Sequence, residues 1–132
     1  LCIAHGQEEA LSMSDRIAVL NAGRLEQVGA PRALYLQPRT RFAASFLGPV
    51  NWINGVGVRP EATQVAHGEP PGDVRALPAL VENAVFLGNC IHVETRLATG
   101  EQVVAEVSRF NGVFRQGEHV HVWWREADEL PL

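Results

Sequence analysis

Between Cys90 and Leu97 the chain alternates with period two. Ile91, Val93, Thr95 and Leu97 fall on one face; Cys90, His92, Glu94 and Arg96 fall on the other. A helix would scatter these two sets around its axis, whereas a half-buried strand keeps them apart. Residues 80–87 form an apolar strand before it. Ala98-Thr99-Gly100-Glu101 reads as a turn, and residues 102–107 pair back. Arg115-Gln116-Gly117-Glu118 is a further turn, and residues 119–125 alternate again with Val120, Val122 and Trp124 inward. Short strands separated by glycine turns imply an antiparallel barrel or sandwich. Residues 67–73, rich in Gly and Pro, read as a loop.

The first 48 residues follow another pattern. Residues 1–4 are strand-like and run into His5; a short helix follows, with Glu8 and Glu9 in its first turn, where carboxylates suit the helix dipole. Residues 17–20 are apolar throughout, as in a strand buried on both faces. Asn21-Ala22-Gly23-Arg24 reads as a hairpin loop and residues 25–28 as the return strand. Pro31 suits the first position of a helix that stops before Pro38. Thr40 is the expected N-cap of a helix over Arg41–Leu47, with Gly48 just past its end. On that helix Phe42 and Phe46 share a face with Ala43 and Leu47. The pattern changes between Gly48 and Asn51, which divides the chain into residues 1–48 and 49–132.

Composition excludes several classes. Apolar residues are 46% and charged residues 20% of the chain, as in a folded domain. The net charge is −4, and all eleven basic residues are scattered arginines, which argues against a nucleic-acid partner. No apolar run reaches the ~18 residues of a membrane span. Cys2 and Cys90 form no metal or disulfide spacing, which suits a reducing cytosol.

The first thirty residues resemble the ATP-hydrolysing subunit of an ABC (ATP-binding cassette) importer. The resemblance is carried by His5, Gln7, Glu8, Glu9, Ala10, Asp15, Arg16, Ile17, Val19, Gly23, Gln27, Gly29 and Pro31, continuing through Leu34, Tyr35, Pro38, Thr40, Arg41, Phe42, Ala44, Phe46, Gly48 and Asn51. Ala4 and Gly6 depart from that family's pattern. Gly57-Val58-Arg59-Pro60-Glu61 and the spacing from Phe86 to Val122, with Glu118 at an Asp position, resemble the TOBE domain, the accessory barrel behind many importer ATPases. The resemblance implies an α+β, mainly β fold: a small α/β remnant of a nucleotide-binding domain, then an antiparallel TOBE/OB-like barrel.

It also implies that His5 is the switch histidine, which bonds the γ-phosphate of ATP in the full-length parent. ATP and Mg are the parent's cofactors. The chain contains no G-x-x-x-x-G-K-[ST] phosphate loop and opens without Met, so it reads as the C-terminal piece of a longer protein. On its own it is expected to bind no cofactor and catalyse no reaction. The implied partners are a second copy of the chain, membrane-spanning permease subunits and a small regulatory ligand. The implied location is the cytoplasmic face of the bacterial plasma membrane. Polyamine, iron or phosphonate importers are the nearest group in overall resemblance.

Three further sets of residues have side chains that could carry chemistry. Cys90 and His92, like His119 and His121, are spaced i, i+2 and share a sheet face, so four ligands would converge if the two strands were neighbours. Flat strands seldom close a tetrahedron that way, and a polar outer face without metal is the expectation. Of Trp52, Trp123 and Trp124, the last is core and Trp123 is the interface residue, since exposed Trp is enriched at interfaces. Glu8, Glu9 and Glu61 form no catalytic pair. The rival reading is a free-standing barrel that binds an oxyanion or a sugar.

Overall fold

The computed structural model describes residues 16–132. They fall into two compact units: one that runs to Val50 and takes in Leu130–Leu132, and one over Asn51–Glu129. In the first unit, strands β1 (Ile17–Asn21) and β2 (Arg24–Gly29) form an antiparallel hairpin, followed by helices α1 (Pro31–Leu36) and α2 (Arg41–Leu47). The hairpin turns on Ala22 and Gly23, at φ 51° and 81°. Two successive positive φ values make a type I′ turn, whose twist matches the strands it joins.

The first unit's core is Ile17, Val19, Leu34, Ala43 and Leu47. Here β1 departs from expectation. Its apolar run implies cover on both faces, yet Ala18 is exposed and Leu20 is 58% exposed. Ile17 and Val19 are buried while Ala18 and Leu20 face solvent, so one face of β1 is covered and the other is not. Helix α2 also differs: Ala43, Ala44 and Leu47 are buried, while Phe42 and Phe46 stack on each other in solvent, ring centroids 6.1 Å apart. The residues one position on from Phe42 and Phe46 are the ones that face inward. Thr40 caps α2 as expected, accepting from Ala43 N–H at 3.1 Å, and its hydroxyl donates to Glu26 Oε2 at 2.9 Å. Gly48 ends the helix in extended geometry, φ 166°, instead of the left-handed form common past helix ends.

The second unit opens with the ribbon β3 (Asn51–Ile53) and β4 (Val56–Val58) and a 3₁₀ turn at Pro60–Ala62. A five-stranded antiparallel sheet follows: β5 (Gln64–Ala66), β6 (Arg75–Phe86), β7 (Cys90–Leu97), β8 (Gln102–Ser108) and β9 (His119–Trp124), in spatial order β5-β9-β6-β7-β8. The sheet curls until its two edge strands, β5 and β8, pack on one another. The mainly β, OB-like fold implied by the sequence is the fold observed.

Two details of the sheet were not expected. Strand β6 begins at Arg75, five residues before the apolar stretch, and contains Pro78. Its first four residues pair only with β9, so a proline there breaks no bond to β7. The second concerns edge strand β8. The Asn51 side chain receives Val104 N–H at 2.9 Å and donates to Val104 C=O at 2.7 Å, completing the ladder as a neighbouring backbone would. Its amide also donates to Thr63 Oγ1 at 3.1 Å, and that hydroxyl donates to Arg59 C=O. Asn51, Arg59 and Thr63 are all buried, where unpaired polar groups would be costly.

Candidate functional site

A groove lies over the neighbouring strands β9, β6 and β7. Register sets what lies there. Leu80 of β6 stands between Arg96 of β7 and His119 of β9, and Pro78 stands beside His121. These side chains, with His67, Glu82 and Ala98, line a groove of about 530 Å³. The floor is apolar, with Leu80 40% exposed.

The rim is polar. Arg96 Nε donates to Glu82 Oε2 at 2.9 Å, and its NH1 donates to Gly100 C=O at 2.7 Å. The Glu82 hydrogen bond and charge push the Arg96 guanidinium further above its ordinary range, so it is a permanent cation. The carbonyl it grips belongs to a left-handed glycine, φ 94°, that closes the β7–β8 turn. His121 Nδ1 lies 3.2 Å from Gly68 C=O. A carbonyl only accepts, so Nδ1 carries a proton in this contact.

His67 stacks on Phe114, centroids 4.7 Å apart, and its Nε2 lies 3.4 Å from Glu118 Oε1. Glu118 Oε1 also accepts the backbone N–H of Arg115. That backbone bond, and next the His67 contact, hold the Glu118 carboxyl below its usual range against the opposing effect of partial burial. The groove therefore joins an apolar floor to imidazole groups and a cation, a lining suited to a small polar ligand.

The sequence-predicted residues are placed as follows. His5, Glu8 and Glu9 lie outside the described residues. Trp124 is in the core, its Nε1 donating to Glu129 Oε2 at 2.9 Å. Trp123 points to the other face, half-buried, with the Arg125 guanidinium 5.8 Å from its ring centre. Trp52 is half-buried on β3, opposite Gly57, and Glu61 is exposed in the 3₁₀ turn. The four-ligand set does not assemble, because β6 lies between β7 and β9. His119 and His121 line the groove; Cys90 and His92 instead meet Glu106 of β8.

Comparison with known proteins locates this unit. The TOBE domain profile matches residues 56–132, more than half of the chain. The chain belongs to the TOBE domain family. All the groove residues lie inside the TOBE match, as do Glu118, Trp123 and Glu106. The chain is similar to the spermidine/putrescine import ATP-binding protein PotA of Bacillus thuringiensis (strain Al Hakam), 37% identical over 136 residues, covering 98% of this chain and 42% of the relative. It is similar to the sulfate/thiosulfate import ATP-binding protein CysA of Nocardia farcinica, 39% identical over 142 residues, covering 98% of this chain and 43% of the relative. CysA of Mycobacterium bovis is 39% identical over 135 residues, covering 91% and 38%. The chain spans about two fifths of the length of these relatives. Among the described residues no helix is long and apolar enough to cross a membrane.

Sequence reasoning missed Glu106 and the Arg96–Glu82 pair of the TOBE sheet. Both were in principle accessible: Glu106 stands at an outward position of β8, and Glu82 precedes Arg96 across the β6–β7 hairpin. For Glu82 what the sequence lacked was the register, which shifts at a bulge between Val81 and Asn83; for Glu106 it was the pairing of β8 with β7.

Proposed function

We propose that this chain is the regulatory and dimerising C-terminal part of the ATP-binding subunit of an ABC importer. One observation carries the reading. The same stretch aligns over 98% of its length with a protein named for polyamine import and one named for sulfate import, at nearly equal identity. What the stretch shares with both is therefore a role common to importers of unlike solutes. In this reading residues 1–48 are a remnant of the nucleotide-binding domain and residues 49–132 the barrel. Permease subunits hold the protein at the cytoplasmic face of the membrane. The groove takes a small regulatory ligand, and two copies meet through the face that bears Trp123, where association would finish burying a half-buried indole.

His5 is the switch histidine of the intact subunit. Phosphoryl transfer depends on positioned donors around the γ-phosphate, so a histidine fixed there stabilises developing charge while ATP and Mg bind elsewhere in the subunit. In the intact subunit His5→Ala is expected to slow ATP hydrolysis by about 10²-fold, the usual cost of one such donor, with nucleotide affinity unchanged. Residues 1–132 alone are expected to show no Mg-ATP binding by calorimetry. Unchanged turnover in the variant, or micromolar binding by the chain alone, would overturn the reading.

A further inference from the structure

We propose that Cys90, His92 and Glu106 form a binding site for a borderline divalent transition-metal ion, with Zn²⁺ the best fit. The site lies on the outer face of the β7–β8 ladder. His92 and Glu106 are register partners on adjacent strands, and Cys90 is two residues from His92 on the same face. Their ligand atoms lie within 4.8 Å of one another. Glu106 Oε1 is 2.9 Å from His92 Nε2 and 3.7 Å from Cys90 Sγ. Tetrahedral ligands at zinc-like bond lengths of about 2.0–2.3 Å stand roughly 3.3–3.8 Å apart, so small side-chain rotations close the set.

The hydrogen bonding describes the same site. A single carboxylate oxygen faces both the thiol and the imidazole, so two donors converge on one acceptor. A divalent cation in that space would bind the oxygen, the ring nitrogen and the sulfur together. The thiol proton would be released to solvent. Thiolate and carboxylate would then neutralise the ion's two charges, and the imidazole would bind as a neutral ligand. Binding therefore displaces a proton, as at other thiolate sites.

The donor set selects the metal class. Sulfur and imidazole nitrogen exclude Mg²⁺ and Ca²⁺, which require oxygen ligands, and favour Zn²⁺ and its spectroscopic substitute Co²⁺. His92 and Glu106 side chains are 37% and 39% exposed, which leaves one side open for a water as fourth ligand. This inference is independent of the importer reading, since it rests only on the β7–β8 register.

The test titrates the chelator-stripped chain with Co²⁺ and then displaces Co²⁺ with Zn²⁺. The expected result is one ion per chain, a near-ultraviolet sulfur-to-cobalt charge-transfer band, and a rise in Tm with Zn²⁺. Cys90→Ser should abolish the band and the Tm rise. Glu106→Gln and His92→Ala should each weaken binding by at least about an order of magnitude, since losing even an outer-shell partner costs roughly that much. Cys2→Ser, which removes the chain's other thiol, should change nothing. Absence of the band in the wild-type chain, or its survival in Cys90→Ser, would reduce the cluster to an ordinary His–Glu ion pair. An unchanged far-ultraviolet circular dichroism spectrum checks that each variant is folded.

Discussion

In the first unit the described core comprises Ile17, Val19, Leu34, Ala43 and Leu47, while Leu20, Leu25, Val28, Leu36, Phe42 and Phe46 stand in solvent. In the second unit fifteen buried apolar side chains, from Ile53 to Trp124, fill a curled sheet. Both units use the same polar device. In the first, the Gln27 side chain accepts Arg39 N–H at 2.9 Å and donates to Gln37 C=O at 3.2 Å. In the second, Asn51 does the same for Val104. In each case a side-chain amide takes the place of a missing backbone neighbour. The two differ in their surroundings. Asn51 sits against buried Thr63 at the closing edge of a full core, whereas Gln27 holds a loop whose residues Gln37 and Arg39 are exposed. The second unit has the contents of an independent fold, and the first has an apolar face that asks for cover.

The sharpest way to break this contrast is in the larger core. Trp124→Ala removes a buried indole and its bond to Glu129, and should lower stability by about 3–5 kcal/mol, read by chemical denaturation. A loss below about 1 kcal/mol would mean that this core is not what holds the sheet closed.

The two amide clips give a smaller effect and a direct comparison. Asn51→Ala leaves Val104 N–H and C=O unpaired and should cost about 2–3 kcal/mol. Gln27→Ala exposes its partners to water and should cost about 1 kcal/mol. Hydrogen exchange at the Val104 and Arg39 amides would separate the two. Equal losses would contradict the difference in surroundings.

The smallest effect is electrostatic and lies beside the groove, at the partner of its lining residue His67. Glu118 is held below the ordinary carboxylate value of 4.5, first by Arg115 N–H and next by His67. A depressed carboxyl stabilises the fold above its unfolded pKa, and that contribution is lost as pH falls through the folded value. Stability should therefore fall on acidification below about pH 4.5, and Glu118→Gln should flatten that part of the profile while leaving the slope at neutral pH unchanged. Unchanged acid sensitivity in the variant would remove Glu118 as a contributor.

Local chemistry made much of the fold legible. The alternation over Cys90–Leu97, the Ala22-Gly23 turn and the Thr40 cap each follow from a few adjacent residues. What stayed hidden depends on partners far away in the chain. Leu20 reads as buried because its residue type says nothing about whether another layer packs over its face of the strand. The Asn51 clip spans 53 positions, and no local pattern marks it as a backbone substitute. The site was hidden for the same reason. Cys90 and His92 stood out as ligand types, but their pairing with Glu106, and their separation from His119 and His121, came from strand order.

In the dimer proposed above, the second unit, not the first, carries the surface through which copies of the chain associate. Light scattering on residues 1–132, on a chain beginning at Asn51, and on Trp123→Ala in each tests it directly. Both parent chains are expected to be dimers, and Trp123→Ala is expected to make both monomeric. A monomeric chain from Asn51 beside a dimeric 1–132 would place association in the exposed apolar face of the first unit and contradict the claim.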